Sequence, residues 1–288
     1  MTEVVDILRF AAPIGLAATG ETIGQKAGVL NVGLEGMMLA GSYAAVIASG
    51  ASGNPWLGFG AGMVAGAALG LVQALFTLKL AADQVVAGTA VNLLAMGLTS
   101  ALFRLQFGTS GKLLSVPTLP KFAGGLDLVL IGGLLAAAAG AWVLAKTKFG
   151  LALRACGEYP SAAQAAGFSV TKIRLIAALA GAIAAGAAGA YLSLGISGSF
   201  AENMTAGRGF IALAMVTFGR WRPVWVAVAT LFVGAADWAQ FSVWAQNPAL
   251  PPQAWRALPY VLALVVLVCA GRGVAAPAAL AAPFQEEA

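Results

Sequence analysis

Histidine is absent from this sequence, charge is scarce, and cysteine occurs only twice. Without histidine there is no Ser-His-Asp triad, no Cys-His pair and no His-ligated metal, so no catalytic or metal site of those kinds is expected. Cys156 and Cys269 lie far apart and in different hydropathic contexts, which argues against a disulfide framework and leaves them as small hydrophobes. Only 9% of the 288 residues are charged, against about 25% in an ordinary soluble domain. A soluble surface cannot be assembled from that. A Walker A loop is missing too: Gly108-Thr109-Ser110-Gly111-Lys112 lacks the four-residue spacer and the hydroxyl residue after lysine. No basic segment precedes the first apolar stretch, where Glu3 and Asp6 stand, so an uncleaved chain is expected.

What the sequence has instead is apolar length. Hydrophobic residues make up 60% of it, and mean hydropathy is +0.88. Uncharged runs recur at 57–78, 85–103, 128–145 and 175–196, each near the roughly 20 residues a spanning helix needs. Apolar runs and polar breaks together predict segments near 5–23, 29–50, 57–78, 85–104, 126–145, 173–196, 209–219, 223–243 and 257–272. The expected fold is all-α: a polytopic transmembrane bundle of about eight or nine spans forming one domain over 1–288, with 209–219 too short to cross alone. If the long basic connection Lys146–Arg174 is cytoplasmic, Lys26, Lys79, Lys146, Lys148, Arg154, Lys172, Arg174, Arg220, Arg222 and Arg272 lie inside. Arg9, Arg104, Lys112, Lys121, Arg208 and Arg256 then lie outside, which satisfies the positive-inside tendency. The formal charge of +5 thus reads as loop bias in a lipid bilayer, and no nucleic-acid partner is expected. Four segments, a central fifth and four more entered from the opposite face outline an inverted repeat, with the second and the short seventh as counterparts.

Acidic residues within apolar spans are costly and need a reason. Glu21, Glu35 and Asp237 are the candidates. Glu35 lies in Gly28-Val29-Leu30-Asn31-Val32-Gly33-Leu34-Glu35-Gly36, whose glycines and Asn31 interrupt a helix and can turn polar groups toward a cavity. Equally, Glu35 can accept hydrogen bonds from a neighbouring helix and never meet a solute. Asn92 can line a path or bond another helix. Asp237, Trp238 and Gln240 suit a sugar or a base, or mark the membrane interface. Gly62, Gly66 and Gly70 repeat every four residues, as Ala185 and Gly189 do, which fits tight intramolecular packing or a subunit interface. After Pro160 an Ala-rich stretch ending at Gly167 predicts a short helix, either a lever for a partner protein or a solvated connection.

The stretch Gly28–Ser42, Val86-Ala87-Gly88-Thr89-Ala90-Val91-Asn92-Leu93-Leu94, Arg154-Ala155-Cys156-Gly157-Glu158, and Gly209–Ala214 followed by Phe218-Gly219-Arg220-Trp221 resemble the permease subunits of bacterial ABC importers for nucleosides and simple sugars. The broader family includes permeases for ribose and branched-chain amino acids; the Asn-x-Gly-x-Glu-Gly stretch favours the nucleoside branch. The resemblance implies a multi-pass protein of the cytoplasmic (inner) membrane that is not itself an enzyme and binds no cofactor. It implies a second, homologous permease in a heterodimer, a cytoplasmic ATP-binding protein that holds ATP and Mg²⁺, and an extracytoplasmic solute-binding protein. Asn31, Glu35, Asn92, Asp237 and Gln240 are then expected along the solute path, and Arg154, Gly157, Glu158, Ala163 and Gly167 at the ATPase contact. A competing expectation is an ion-coupled secondary transporter using Glu35 or Asp237 as its ion site.

Overall fold

The computed structural model describes residues 2–108, 116–122, 125–246, 257, 259–262, 264, 265, 268 and 275–284. Lys112, Arg256, Cys269 and Arg272 lie outside them, and the expected ninth segment, 257–272, is described at scattered positions, all helical. Regular structure among the described residues is helical apart from a single β-bridge, Lys121 to Asp127.

Side-chain oxygens set several helix starts by taking up N–H donors that a first turn leaves orphaned. Asn54 accepts from Trp56 ahead of α3 (Pro55–Ala74), Asp83 from Val85 and Val86 ahead of α4 (Gln84–Phe107), and Asp127 from Leu130 ahead of α5 (Leu128–Lys146). Ser169 serves α8 (Val170–Tyr191) in the same way. Both α3 and α8 run on into a π-helical turn, Leu75–Lys79 and Leu192–Ser197. Pro55–Lys79, Gln84–Phe107, Leu128–Lys146 and Val170–Ser197 are long and apolar enough to cross a membrane. The most apolar stretch of Leu128–Lys146 is only 17% buried within the protein, as suits a helix facing lipid.

α1 (Thr2–Lys26) and α10 (Pro223–Gln246) are long, whereas α2 (Leu34–Ser52) and α9 (Arg208–Phe218) each follow irregular chain, at 27–33 and 198–207. The expected segment at 29–50 therefore begins as helix only at Leu34. Gly28 turns the chain there with φ +88°, a conformation that disfavours any side chain. At 1.5 Å per residue, the 11 residues of α9 reach roughly 16 Å, about half the hydrocarbon core. α1 packs along α8, α3 packs on α8 and α10 on α1, and α2 lies against α8 and α9 against α1, whereas α2 packs far more closely on α3 than α9 does on α10.

Small residues make these crossings possible. A Cβ on Gly66 would fall 2.5 Å from the Ala182 carbonyl oxygen, and one on Gly62 would fall 2.8 Å from that of Gly41. The Gly62-Gly66-Gly70 face is thus intramolecular packing against α2 and α8, not a subunit interface. Ser42 Oγ fastens the same region by donating to the Gly189 carbonyl at 2.8 Å. Gly66→Val is expected to cost about 3 kcal/mol or more through overpacking, seen as a lower melting temperature in detergent. Gly60→Val, where a Cβ meets nothing within 4 Å, should leave that temperature unchanged.

Between α5 and α8 the chain forms α6 (Lys148–Glu158) and α7 (Pro160–Ala165). The helix after Pro160 was legible in the sequence; α6 was read as loop. Leu153 and Cys156 of α6 bury against Ala27, Ala163, Val170 and Ala177, so the pair is seated on the basic ends of α1 and α8.

Candidate functional site

The two broken helices point their N-termini at each other, and the sequence-chosen polar residues hold the crossing. Glu35, 5% exposed, accepts from the backbone N–H of Gly207 at 2.7 Å and of Gly209 at 2.6 Å, one on each carboxylate oxygen. A first-turn residue of α2 therefore caps α9. Asn92 on α4 caps α2 in turn: its Oδ1 accepts from Gly36 N–H at 2.7 Å, and its Nδ2 donates to the Val32 carbonyl at 2.9 Å. Helix N-termini carry partial positive charge, so the Glu35 anion stabilises both. Glycine permits the approach, since a Cβ on Gly209 would lie 2.6 Å from Glu35 Cα and one on Gly36 would lie 2.9 Å from Asn92 Cα.

Asn31 sits in the irregular segment, its backbone N–H donating to Glu21 Oε1 at 3.0 Å. Asp237, 4% exposed, pairs with Arg208 at 3.2 Å and accepts from half-buried Gln240 at 3.3 Å. Tyr260 Oη donates to the Ala206 carbonyl. Glu35 and Asn92 thus meet at the crossing, Asn31 lies in the irregular segment leading into α2, and Asp237 with Gln240 joins the crossing through Arg208 at the start of α9. Glu35 and Asp237 are both engaged by groups of the chain. Arg208 was counted in the sequence only as an outer basic residue; its place between Gly207 and Gly209 at the head of a short apolar segment was the available signal. Asp237→Asn is expected to weaken folding by about 1 to 3 kcal/mol by leaving Arg208 uncompensated. Adding Arg208→Gln should restore much of the melting temperature if the pair acts as a unit.

The five residues expected at the ATPase contact divide into two groups. Arg154, Glu158 and Gly167 are exposed, Gly167 ending α7 at φ +86°. Gly157 and Ala163 face inward, and a Cβ on Gly157 would crowd the Lys26 carbonyl and lie 3.1 Å from Gly28 N. Across this base runs the chain's C-terminal stretch. Ala279 N–H donates to the Gly157 carbonyl at 2.9 Å, Ala281 N–H to that of Gly28 at 3.1 Å, and Ala278 N–H to Glu158 Oε2 at 3.2 Å.

Arg174, 2% exposed, locks the assembly from beneath. Its guanidinium donates to the carbonyls of Ala27 at 3.2 Å, Ala282 at 2.9 Å, Ala279 at 3.3 Å and Cys156 at 3.4 Å, and lies 5.8 Å from the centre of the Phe284 ring. The ends of α1 and α6, the start of α8 and the C-terminal stretch therefore share one cation.

Two cavities open between helices, one of about 80 Å³ between α1, α5 and α10 and one of about 140 Å³ between α1, α5, α6 and α8, both walled mainly by apolar side chains. Small-molecule sites commonly measure roughly 300 to 1,000 Å³. Neither cavity would enclose a solute of nucleoside size.

Residues 3–270 match the family described as the permease component of the branched-chain amino acid transport system. The chain belongs to that family. Among its relatives, Haloferax volcanii TsgC13, named for a glucose ABC transporter permease, is 37% identical over 83% of this chain and 77% of its own length. The guanosine ABC transporter permease NupQ of Bacillus subtilis is 34% identical over 80% of this chain and 79% of its own. The nucleoside ABC transporter permease NupC of Lactococcus lactis is 32% identical over 92% and 90%. A metal-chelate type ABC transporter solved in an inward-facing conformation covers 92% of this chain and is itself covered to 85%, with a TM-score of 0.54 and 16% identity, a likeness of fold alone. This permease is accordingly an integral protein of the cytoplasmic membrane and a membrane-spanning subunit of an ABC transporter.

The motif glycines of the permease now have physical roles. Gly36 and Gly209 let broken helices meet, and Gly88 lets α4 approach the irregular segment, where its Cβ would lie 2.7 Å from Gly33 N.

Proposed function

We propose that this permease forms half of an import path for a nucleoside or a related simple sugar or base, and performs no bond chemistry itself. Energy comes from a separate cytoplasmic ATP-binding protein that holds ATP and Mg²⁺. A second, homologous permease completes the path as a heterodimer, and an extracytoplasmic binding protein delivers the solute. The reading of the substrate rests on the Gly28–Gly36 stretch and on the guanosine and nucleoside relatives.

The observation that carries the coupling assignment is the two-sided character of α6 and α7. Their inner face is bound to α1, α8 and the C-terminal stretch. Outward, α6 exposes Leu151 and Arg154, the linking Tyr159 is exposed between the helices and Phe168 just beyond α7, 62%, 69% and 44% exposed for Leu151, Tyr159 and Phe168. Apolar groups set beside charge on a rigid base suit a protein partner. At the crossing, Asn31, Glu35 and Asn92 shape the path by fixing where the half-helices end, and Asp237 with Gln240 steadies the start of α9. A path that guides without gripping leaves selectivity to the binding protein.

The test is uptake of labelled guanosine, with unlabelled nucleosides, bases and glucose as competitors, in cells carrying the complete transporter. Nucleosides should compete, and ATP depletion should stop uptake while an uncoupler acting at constant ATP should not. Competition by glucose alone would move the assignment to sugars. Arg154→Glu combined with Glu158→Arg is expected to lower ATP-driven uptake at least about tenfold, a loss of some 1.4 kcal/mol in coupling, with membrane insertion intact. Undiminished uptake would remove α6 from the contact.

A further inference from the structure

One buried carboxylate has no role in the crossing or at the basic end. Glu21 on α1 is completely buried. Its Oε1 accepts from Gln25 Nε2 at 2.8 Å and from Asn31 N–H at 3.0 Å. Gln25 is fixed from the far side, where Trp221 Nε1 donates to its Oε1 at 2.6 Å. The other carboxylate oxygen, Oε2, makes no hydrogen bond to the described residues.

Among those residues Glu21 has no ion pair. None of the charged groups on the elements around it forms an ion pair with it among the described residues, and Arg220 and Arg222, which flank Trp221, are exposed. On α8, Arg174 is bound to four carbonyls. Glu35 on α2 caps α9, and Arg208 of α9 pairs with Asp237 of α10. Lys26, at the end of α1, has Glu158, Arg154 and Arg222 as its electrostatic neighbours. A lone buried carboxylate is expensive unless positive charge is brought to it.

Over Gly24, Oε2 shares one small space with two backbone carbonyl oxygens. The position that a Cβ would take on Gly24 lies 3.8 Å from Glu21 Oε2, 3.4 Å from the Val29 carbonyl oxygen and 4.0 Å from that of Ala177. Beyond Asn31 two further buried oxygens, Asn31 Oδ1 and Gln73 Oε1, also make no hydrogen bond to the described residues. Both lie beside Gly33, the former 3.3 Å from the position of a Cβ there. An excess of oxygen acceptors with one formal negative charge, beside unwound backbone, is the chemistry of a hard cation site.

We propose that the unwound segment between α1 and α2 binds one monovalent alkali cation, held over Gly24 by Glu21 Oε2 and the carbonyl oxygens of Val29 and Ala177. The ion joins α1, α8 and residues 27–33 at one point and so fixes the approach to the broken-helix crossing. It serves as a structural ion, independent of which solute is carried.

Two variants test this. Glu21→Gln removes the charge. Gly24→Ala places a methyl group at distances of 3.4 to 4.0 Å from those oxygens, which is ordinary van der Waals contact, so it occupies the cradle without a clash. The purified transporter would be melted at fixed pH and ionic strength in sodium, potassium and N-methylglucamine chloride. Wild type should show a saturable rise of at least about 5 °C with one of the alkali ions near 100-fold over its dissociation constant. Both variants should lose that dependence, and Gly24→Ala keeps the test intact should Glu21→Gln fail to fold. Identical melting of wild type in all three salts overturns the proposal, including the case in which only a change of pH moves it, because the neutralising charge is then a proton. An alkali-ion response retained in Gly24→Ala overturns it equally, since the ion then sits elsewhere.

Discussion

Replacing Arg174 by methionine is expected to destabilise the permease by about 3 to 5 kcal/mol. Methionine approximates the aliphatic stem but offers no donor, so the carbonyls of Ala27, Cys156, Ala279 and Ala282 lose a shared cationic partner at once. The damage is local in space and distributed in sequence: α6, α8, the end of α1 and residues 275–284 come apart together. Arg174→Lys should be intermediate, because one ammonium cannot reproduce a planar fork serving several oxygens. Limited proteolysis is the readout. Early cleavage within 275–284 and 148–168 in the methionine variant is expected, and a wild-type digestion pattern would show that the cation is dispensable.

Glu35→Ala is expected to reduce uptake by more than about tenfold and to weaken folding by roughly 3 kcal/mol or more, through two charge-assisted hydrogen bonds lost at the head of α9. Glu35→Gln should fall between the variant and wild type. The amide oxygen can still accept one N–H, but its NH₂ group then faces the second donor, at Gly207 or Gly209. Initial rates of solute uptake, compared with amide hydrogen exchange across 207–218, separate the roles. Faster exchange accompanying slower uptake supports the capping role, whereas slower uptake with unchanged exchange would mean that Glu35 acts on the solute directly.

The sequence was most readable where hydrophobic length decides the outcome. Segments expected at 57–78, 85–104, 126–145 and 173–196 correspond to α3, α4, α5 and α8 within a few residues, because lipid demands unbroken apolar helix of a set length. The short segment at 209–219 is α9 almost residue for residue. Its partner was less exact: apolarity alone continues through Val29, Leu30 and Val32, whereas Gly28 and Gly33 delay α2 to Leu34. Glu35 and Asn92 were recognisable as polar residues in costly places, yet their partners are backbone N–H groups of Gly207, Gly209 and Gly36. No side-chain pattern announces such donors.

Arg174 illustrates the same limit more sharply. It stands at the end of a basic connection, among residues that composition assigns to the solvated face, and its acceptors include carbonyls more than a hundred residues away in sequence. The helix Lys148–Glu158 was hidden for a related reason: Lys146, Lys148 and Arg154 read as loop, while Leu153 and Cys156 bury only because Ala27 and Val170 arrive from distant elements.

The proposed complex joins this chain to a second permease and, through the outer face of α6 and α7, to an ATPase. It is tested most directly by tagging the chain, purifying it from native membranes in mild detergent and identifying what remains bound. Wild type is expected to bring down a second permease and a P-loop ATPase, and the Arg154→Glu, Glu158→Arg variant should retain the permease but lose the ATPase. A chain purified alone, or an ATPase retained undiminished by that variant, would contradict that arrangement.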